Sequence, residues 1–445
     1  MASKPFPPPN GMASFWRSSP GSLDTYRSTR LLPSQCDILI IGAGFSGGSL
    51  ATHILSHPES KNKSVVVLEA RQLCSGATGR NGSVAVTHGV DAATEIAEFE
   101  LANLEAVKNY VQENNVDCDL FLTQAVDVQL SKEHDITLKA GYDNLVNAGI
   151  SGVKGAKSAY KYTTGHLWPH KLVHHLFSKA LEHGNFNLQT NTPVKEISTS
   201  PSADGSWKVT TDRGIINAQK VIMATNAYTA ALLPEYNEKI IPYRAICSHI
   251  VAPNPPVFAD SYVIRFSDTD FDYLIPRPDG SIILGGARSD YFRYTEDWYG
   301  NVDDTKLIER AKDYFEGYMQ RHFRGWENSG AHTDKVWTGS KSSCLGFIAI
   351  FTNHEFKVMG YSSDSLPRLG CVPDKDNMFI MAGFTGHGMP QIFLAAQGIS
   401  RMVLEGTKYS ETKLPKLFEE TKARLGSDKN FLKDMIDRES SVVKI

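Results

Sequence analysis

Three glycines near the amino terminus have a spacing that can bind a pyrophosphate. Gly42, Gly44 and Gly47 form the pattern Gly-x-Gly-x-x-Gly. The apolar, β-branched run at 38–41 predicts a buried parallel strand, and the segment 49–55 predicts a helix. Glycine permits a tight turn and close approach of the backbone, and a helix N-terminus favours negative charge. The alternative is a glycine-rich turn that binds nothing.

An acidic residue completes the pattern. Glu69 ends a second predicted strand, 64–69, and follows the glycine turn at the spacing expected of a dinucleotide-binding unit. A carboxylate at this distance can accept a hydrogen bond from the 2′-hydroxyl of a ribose. The strand, turn, helix and acid together predict a dinucleotide site in a βαβ unit.

Small residues dominate the segment that follows the acid. Residues 71–82 read Arg-Gln-Leu-Cys-Ser-Gly-Ala-Thr-Gly-Arg-Asn-Gly. A nicotinamide dinucleotide needs no such extension. A flavin dinucleotide does, because its second phosphate, ribitol and ring reach further along the protein. The segment therefore favours a flavin.

With these motifs the sequence resembles the D-amino-acid oxidase-like (DAO) superfamily of FAD-dependent oxidoreductases. The form Ser-Gly-Ala-Thr-Gly-Arg-Asn-Gly at 75–82 is most similar to the γ-glutamylputrescine oxidoreductase and sarcosine oxidase-like branch. The segments 221–228, 242–244, 273–288 and 382–389 extend the resemblance over nearly the whole chain. It implies a Rossmann-like α/β FAD-binding domain interleaved with an α+β substrate domain built on an antiparallel sheet, the glutathione-reductase-2 type.

The resemblance also implies which residues contact FAD. The glycine turn would hold the pyrophosphate, Glu69 the adenosine ribose, and 386–389 the pyrimidine edge of the flavin. The implied cofactor-binding residues are Gly42, Gly44, Phe45, Ser46, Gly47, Glu69, Ala70, Arg71, Ser75, Gly76, Ala77, Thr78, Arg80, Asn81, Gly82, Val194, Ala224, Thr225, Gly386, His387, Gly388 and Met389.

The implied reaction is the oxidation of an amine or amino acid by hydride transfer to the flavin. The amine must react in its neutral form, which desolvation in the site favours. An arginine could hold a substrate carboxylate through two parallel hydrogen bonds. Arg80, Arg277 and His387 are the candidate catalytic residues.

Two departures from the family concern the flavin linkage and the electron acceptor. Segment 73–82 contains no His and segment 359–370 no Cys, so we predict non-covalent FAD. Segment 273–293 contains no Lys of the kind that some relatives hold over the flavin for reaction with O₂. The acceptor is therefore O₂ or another molecule, and oxidase and dehydrogenase both stay open.

Two other functions remain as alternatives. One is a flavin-fold protein that is non-catalytic or inactivated. The other is a different flavin enzyme, such as an NADPH-dependent monooxygenase. The sequence shows no second Gly-x-Gly-x-x-Gly for a nicotinamide nucleotide, since Gly285-Gly286 lacks the spacing.

One segment interrupts a family motif. Residues 336–339 (Val-Trp-Thr-Gly) and 359–364 (Met-Gly-Tyr-Ser-Ser-Asp) resemble two halves of one motif. Codon degeneracy allows GTAAGT within 340–342, CTAAC within 352–353 and a terminal AG within 357–358. Excision would replace 340–358 by one Ile and rejoin the two halves in frame, which predicts a retained intron. The alternative is a genuine surface hairpin.

The elements that position these motifs alternate between two characters. Helical periodicity at 93–115 and 169–183 flanks strand-like pieces, and 240–287 is β-rich. We expect the amino-terminal arm to be fastened by Trp16 and by 31–33. The predicted boundaries are 1–34 for the arm; 35–95, 165–232 and 358–410 for the FAD-binding domain; 96–164 and 233–339 for the substrate domain; 340–358 for the insertion; and 411–445 for a C-terminal tail.

Composition excludes several classes of partner. The 445 residues include 46 Lys and Arg against 49 Asp and Glu, without basic blocks, which argues against nucleic acid. No run approaches the ~18 apolar residues of a membrane span. The six Cys are scattered and form no Cys-x-x-Cys pair, which predicts reduced thiols and a cytoplasmic location. We predict no metal site.

Overall fold

The computed structural model describes residues 4–19, 21–80, 90–132, 135–136, 158–267, 269–338, 345–346 and 358–442. The predicted cofactor contacts Asn81 and Gly82 and the side chain of Arg80 lie outside the described residues. Of the predicted insertion, 345–346 and 358 are described.

The strands and helices follow the chain in an alternating order. The strands are β1 Gln35–Ile41, β2 Val65–Leu68, β3 Phe121–Gln129, β4 Ser158–His166, β5 Phe186–Gln189, β6 Val194–Ile197, β7 Trp207–Thr211, β8 Gly214–Met223, β9 Ile240–Tyr243, β10 Ile246–Val251, β11 Ser261–Arg265, β12 Phe271–Pro276, β13 Ile282–Gly286, β14 His332–Thr338, β15 Leu345–Gly346, β16 Met359–Ser362, β17 Arg368–Cys371 and β18 Met378–Ala382. The helices are α1 Phe45–Leu55, α2 Val90–Glu113, α3 Pro169–Ala180, α4 Thr229–Leu232, α5 Arg288–Tyr291, α6 Tyr318–His322, α7 Ile392–Glu405, α8 Lys422–Gly426 and α9 Phe431–Val442.

A mainly parallel sheet contains the predicted βαβ unit. Its strand order is β17-β18-β8-β1-β2-β5, and the pair β6–β7 joins the long strand β8. Strand β1 runs parallel to β2, as the predicted βαβ unit requires, and it also runs parallel to β8. These strands are apolar because helices α1, α3 and α7 cover one face and a second apolar cluster covers the other. The prediction of a Rossmann-like α/β domain is confirmed.

Helix α1 begins at Phe45, closer to the glycine turn than the predicted start at 49. Two glycines inside it, Gly47 and Gly48, lower its intrinsic helix propensity. Packing compensates, because the helix lies close to α3: a Cβ on Gly48 would lie 3.1 Å from Cδ1 of Leu176. Tertiary contact therefore extends the helix to the glycine turn itself.

A second, mainly antiparallel sheet forms the other half of the molecule. Its order is β14-β10-β13-β12-β11-β3-β4-β15, in which β11 and β3 are parallel. One face packs on helices α5, α6 and α9. The opposite face presents Cys247, Tyr273, Ile283 and Trp337, which pack against Trp16 of the amino-terminal segment. The predicted antiparallel sheet is confirmed.

The amino-terminal segment is fastened mostly as predicted. Trp16 is 1% exposed, as expected, and the amide of Met12 donates to the carbonyl of Asp304 at 2.8 Å. Leu32 packs against an apolar cluster of the parallel sheet, whereas Leu31 is 80% exposed, so the prediction is wrong for Leu31. The backbone is held there as well, since the carbonyl of Arg30 accepts a hydrogen bond from Arg213 at 2.9 Å.

Strands β14 and β16 pair with two consecutive strands of the chain, β10 and β9, respectively. Thr338 pairs with Ile246, and Met359 pairs with Tyr243, both in antiparallel register. Between these two pairs the chain advances 3 residues on one side, from 243 to 246, and 21 residues on the other, from 338 to 359. The difference of 18 residues equals the net length that the predicted excision removes. The retained intron itself stays a prediction.

The described cysteines form no disulfide, and Cys36, Cys74, Cys118 and Cys247 are buried while Cys371 is exposed. Within the described ranges, no helix has the length and apolar character needed to cross a membrane.

Candidate cofactor site

A cavity of about 500 Å³ lies where three parallel strands end. Its lining includes the residues at the carboxyl ends of β1, β2 and β8. Ligands of open α/β sheets bind at this edge. Among the predicted cofactor contacts, the cavity is lined by Gly42, Gly44, Ser46, Glu69, Ala70, Arg71, Gly76, Ala77, Thr78, Val194, Ala224, Thr225, Gly386, Gly388 and Met389.

Each glycine of the turn is required by its surroundings. Gly42 has a φ of +113°, and a Cβ there would lie 2.5 Å from the carbonyl oxygen of Ala224. A Cβ on Gly47 would lie 2.0 Å from the carbonyl oxygen of Gly42, and one on Gly44 would lie 2.9 Å from Oγ1 of Thr78. Because a side chain at these positions would clash, the turn consists of glycines, and its bare backbone can approach a ligand closely. The turn therefore fits a pyrophosphate.

The carboxylate of Glu69 is held in the cavity wall by backbone amides. Its Oε2 accepts from the amide of Ala43 at 2.8 Å, and its Oε1 accepts from the amide of Arg71 at 2.9 Å. Each oxygen retains a second lone pair. The carboxylate is therefore oriented and still able to accept hydrogen bonds from ribose hydroxyls.

Thr78 caps the first turn of α1 although it lies well beyond that helix in the sequence. Its Oγ1 accepts a hydrogen bond from the amide of Phe45 at 2.8 Å. The hydroxyl therefore stands at the positive end of the helix dipole, where a phosphate would bind. Small neighbours leave space there, since a Cβ on Gly76 would meet nothing within 4 Å.

Arg71 lines the cavity but uses its guanidinium elsewhere. Its Nη1 lies 2.9 and 3.0 Å from the two carboxylate oxygens of Asp304, and its Nη2 donates to the carbonyl of Ser75 at 3.1 Å. Nη1 also approaches the carbonyl of Pro8 at 3.4 Å. The side chain is buried, so Arg71 ties the end of β2 to the other half of the molecule and to the amino-terminal segment.

His387 is oriented by a glutamate that the sequence analysis missed. Its Nε2 lies 2.6 Å from Oε1 of Glu100, and the same oxygen accepts from Gln391 at 2.7 Å. Asn103, one turn further along α2, accepts from the amide of Leu394 at 2.9 Å. The side chains of the His, the Glu, the Gln and the Asn are all buried. His387 does not line the cavity, while its neighbours on both sides do.

A sequence signal for Glu100 existed. Glu100, Asn103, Leu104 and Val107 are spaced i, i+3, i+4 and i+7, which is one face of a helix. Polar residues on an otherwise apolar stripe indicate that something polar faces them. No local pattern names the partner, however, because His387 is 287 residues away.

Arg277 lies apart from the cavity lining. Its Nη2 is 2.8 Å from Oδ2 of Asp119, and its guanidinium lies 5.1 Å from the ring centres of both Trp16 and Trp168. The side chain is buried among them. The lining also excludes Phe45, Gly47 and Ser75. The backbone of Arg80 is described and ends the short 3₁₀ helix Ala77–Arg80.

The cavity has further lining residues that were not predicted. Phe6, Pro7, Pro9 and Asn10 bring the amino-terminal segment to its edge. Asn226, after strand β8, accepts from the amide of Gly383 at 3.0 Å and so links two sides of the cavity. Asn226 has a φ of +43°, a conformation that Asn tolerates better than most residues. The other unpredicted lining residues are Ile41, Leu68, Asn191, Pro193, Lys195, Ala227, Tyr228, Leu232, Val358, Met359, Phe384 and Ile392.

Comparison with known proteins agrees with this architecture. Residues 37–402 match the family model described as FAD dependent oxidoreductase (DAO). The chain is 22% identical over 407 residues to γ-glutamylputrescine oxidoreductase of Escherichia coli K12, covering 83% of each.

Solved structures show the same fold. Glycine oxidase from Geobacillus kaustophilus has a TM-score of 0.65 at 15% identity, covering 87% of this chain and 99% of that one. L-proline dehydrogenase from P. horikoshii has a TM-score of 0.65 at 20% identity, covering 87% and 98%. The glycine turn, the fixed carboxylate and the family match lead to one conclusion: the chain belongs to the DAO family of FAD-dependent oxidoreductases, and FAD is its cofactor.

Proposed function

We propose that this enzyme oxidises the CH–NH bond of a small amine or amino acid by hydride transfer to FAD. The observation that carries the proposal is the glycine turn with Glu69 fixed beside it, in a chain that matches this family over 37–402. The similar proteins are named for γ-glutamylputrescine, glycine and proline, and all three of these compounds are amines or amino acids, which supports the substrate class.

We infer that the cavity residues hold FAD from end to end. The N-terminus of α1 and the hydroxyl of Thr78 would bind the pyrophosphate, and Glu69 would bind the adenosine ribose. The lining residues Gly386, Gly388 and Met389 would meet the flavin end. These assignments rest on the chemistry of each group and on the position of the cavity at the carboxyl ends of the parallel strands.

The bound flavin supplies the hydride acceptor, and the protein supplies binding and orientation. Glu100 accepts a hydrogen bond at Nε2 of His387, so it holds a proton on that nitrogen and fixes the ring plane. We propose that this pair sets the position of 386–389 against the cofactor. Glu100 acts as a positioning residue because it reaches the site through His387.

Non-covalent binding of FAD is the favoured linkage. Burial raises the pKa of the Cys74 thiol far above its usual range, so the thiol stays protonated and is a poor nucleophile. Cys371 is exposed on strand β17. Neither residue lines the cavity.

Arg80 stays a proposed partner of the substrate carboxylate. The 3₁₀ helix Ala77–Arg80 leads directly from the cavity-lining residues Ala77 and Thr78. Arg277 pairs with Asp119 through Nη2, but its buried Nε and Nη1 have no hydrogen-bond partner among the described residues, so it stays a second candidate for that carboxylate.

Anaerobic bleaching of the bound flavin tests the function directly. The purified yellow protein, mixed without oxygen with a panel of amines and amino acids, should lose its visible absorbance with at least one class. Re-oxidation by O₂ or by a dye then separates an oxidase from a dehydrogenase. A flavoprotein that no member of the panel reduces would contradict the proposal and favour a non-catalytic flavin-fold protein.

Glu69→Gln tests the placement of the adenosine. Loss of a charged acceptor should weaken FAD binding by about 10- to 150-fold, because hydrogen bonds to charged groups contribute ~1.5–3 kcal/mol. Titration of the apoprotein with FAD measures the change. Glu196→Gln is the matched control, since Glu196 is exposed on strand β6. Equal FAD affinity in both variants would contradict the assignment of Glu69.

A further inference from the structure

Three potential metal ligands from distant parts of the chain meet beside helix α3. His170 and His174 are one turn apart on α3. Their Nε2 atoms lie 3.3 and 2.8 Å from Oδ1 of Asp24 in the amino-terminal segment. The three ligand atoms all lie within 4.8 Å of one another. Little of the three side chains is exposed: 4% for His170, 14% for His174 and 10% for Asp24.

We propose that Asp24, His170 and His174 bind a divalent transition-metal ion, with Zn²⁺ as the probe. Imidazole and carboxylate are ligands that zinc accepts, at bond lengths of about 2.0–2.2 Å. In a tetrahedral site such bonds separate neighbouring ligand atoms by about 3.3 Å. The observed separations of 2.8 and 3.3 Å to Asp24 come close to that spacing. Three protein ligands leave one position for a water molecule.

The surroundings hold the ligands in this arrangement. Nη2 of Arg17 donates to Oδ2 of Asp24 at 2.8 Å, which directs Oδ1 at both imidazoles. Such outer hydrogen bonds orient the ligands of known metal sites. The two imidazole rings lie side by side, with 4.3 Å between their centres. Gly21 makes the approach of the amino-terminal segment possible, because a Cβ there would lie 2.1 Å from Cε1 of His174.

A metal at this position would fasten the amino-terminal segment to the cofactor domain. The carbonyl of Asp24 accepts from the amide of Leu73 at 3.2 Å, which connects the cluster to the segment after Glu69. Upstream of Asp24, residues 6, 7, 9 and 10 line the FAD cavity. The metal site therefore anchors a stretch of chain that forms part of the cavity wall, and we expect it to slow the release of FAD.

Calorimetric titration of tag-free, FAD-loaded protein with Zn²⁺ after chelator treatment tests the site. The wild type should bind one equivalent. His170→Gln and His174→Gln should each weaken binding by at least about tenfold, since each removes a ligand. His175→Gln should bind as the wild type does, because His175 is on the same helix but outside the cluster. No binding, or equal binding by the His174→Gln and His175→Gln variants, would overturn the proposal.

Asp24→Asn guards against a folding defect in the histidine variants. The amide keeps a hydrogen-bonding side chain of the same size but removes the charge, so zinc should bind more weakly. Because Arg17 loses its charged partner, the metal-free unfolding temperature should fall as well, and bound FAD with an unchanged circular-dichroism spectrum shows that the variant is folded. Undiminished zinc affinity in this variant would also overturn the proposal.

The rate of FAD release tests the anchoring role. FAD fluorescence after dilution should rise more slowly with Zn²⁺ in the wild type, whereas Zn²⁺ should have no effect in His174→Gln. If zinc binds as proposed and the release rate does not change, the anchoring role is overturned and the site is upheld. Neither measurement uses substrate, so the outcome is independent of amine oxidation.

Discussion

Arg71, which lines the cofactor cavity, is buried together with an acidic partner. Arg71 and Asp304 are 3% and 2% exposed, and two N–O contacts of 2.9 and 3.0 Å join them. Arg71 also donates a hydrogen bond to the carbonyl of Ser75, and the backbone carbonyl of Asp304 accepts one from the amide of Met12 in the amino-terminal segment. A buried charge without its partner is costly, so the geometry around each of these residues depends on the other.

Asp304→Asn should therefore destabilise the protein by about 3 kcal/mol, because it leaves the Arg71 guanidinium buried without a counter-charge. Denaturant unfolding of the apoprotein measures the difference. Asp374→Asn is the matched control: Asp374 pairs with Lys422, and the two side chains are 72% and 79% exposed. The control should change stability by no more than about 0.5 kcal/mol. Equal effects would show that the buried pair has no special role.

At the scale of elements, helix α2 acts as a support for the segment that follows β18. Glu100 and Asn103 bond to His387, Gln391 and the amide of Leu394, so one polar strip of α2 holds both the turn and the start of α7. The carbonyl of Met389 also accepts a hydrogen bond from the side-chain amide of Asn103 at 3.3 Å. The position of a cavity wall thus depends on a helix that lies far earlier in the chain.

Glu100→Gln should leave FAD bound but slow its reduction by substrate about 10- to 100-fold, since small displacements of positioned groups have effects of this size. Single-turnover reduction without oxygen is the test.

Glu105→Gln provides the comparison. Glu105 is on the same helix but is 49% exposed and pairs with Lys108. An unchanged rate in Glu100→Gln would limit Glu100 to a packing role.

At the scale of the whole molecule, the strand pairs β10–β14 and β9–β16 connect the antiparallel sheet with the cofactor cavity. Strand β10 belongs to the antiparallel sheet, and β9 and β16 form a separate pair whose residue Met359 lines the cavity. Between the pairs Thr338–Ile246 and Met359–Tyr243, the side of the chain that carries the predicted insertion is longer than the other side by the net length of that insertion. Its removal would make β14 and β16 one continuous strand in register with 240–251.

A chain in which a single Ile replaces 340–358 should fold with FAD and unfold about 2–5 °C higher, because no intervening segment must have its ends held together. Thermal unfolding of the FAD-loaded protein measures this. A Gly-Ser segment of the original length at the same place is the control, and it should not gain stability.

The nucleic acid gives an independent answer about the intron. Genomic codons with the GTAAGT, CTAAC and terminal AG signals are expected, together with a transcript from which the intervening bases have been removed in frame. Codons that lack these signals would end the retained-intron hypothesis whatever the stability of the shortened chain.

Much of the cofactor half could be predicted because its signals are local. The turn at Gly42, Gly44 and Gly47 and the acid at Glu69 belong to one βαβ unit, and each reflects a backbone conformation or a spacing that short-range sterics impose. The fold class and FAD followed from these motifs and the resemblance that they carry, and the comparisons confirmed both.

Other features were decided by tertiary structure alone. Glu100 meets His387 across 287 residues, Arg71 meets Asp304 across 233, and Asp24 meets His174 across 150. The sequence by itself determined the glycine turn, because backbone sterics act between neighbours. The pairing of distant charges depends on how whole elements pack, which no local periodicity specifies.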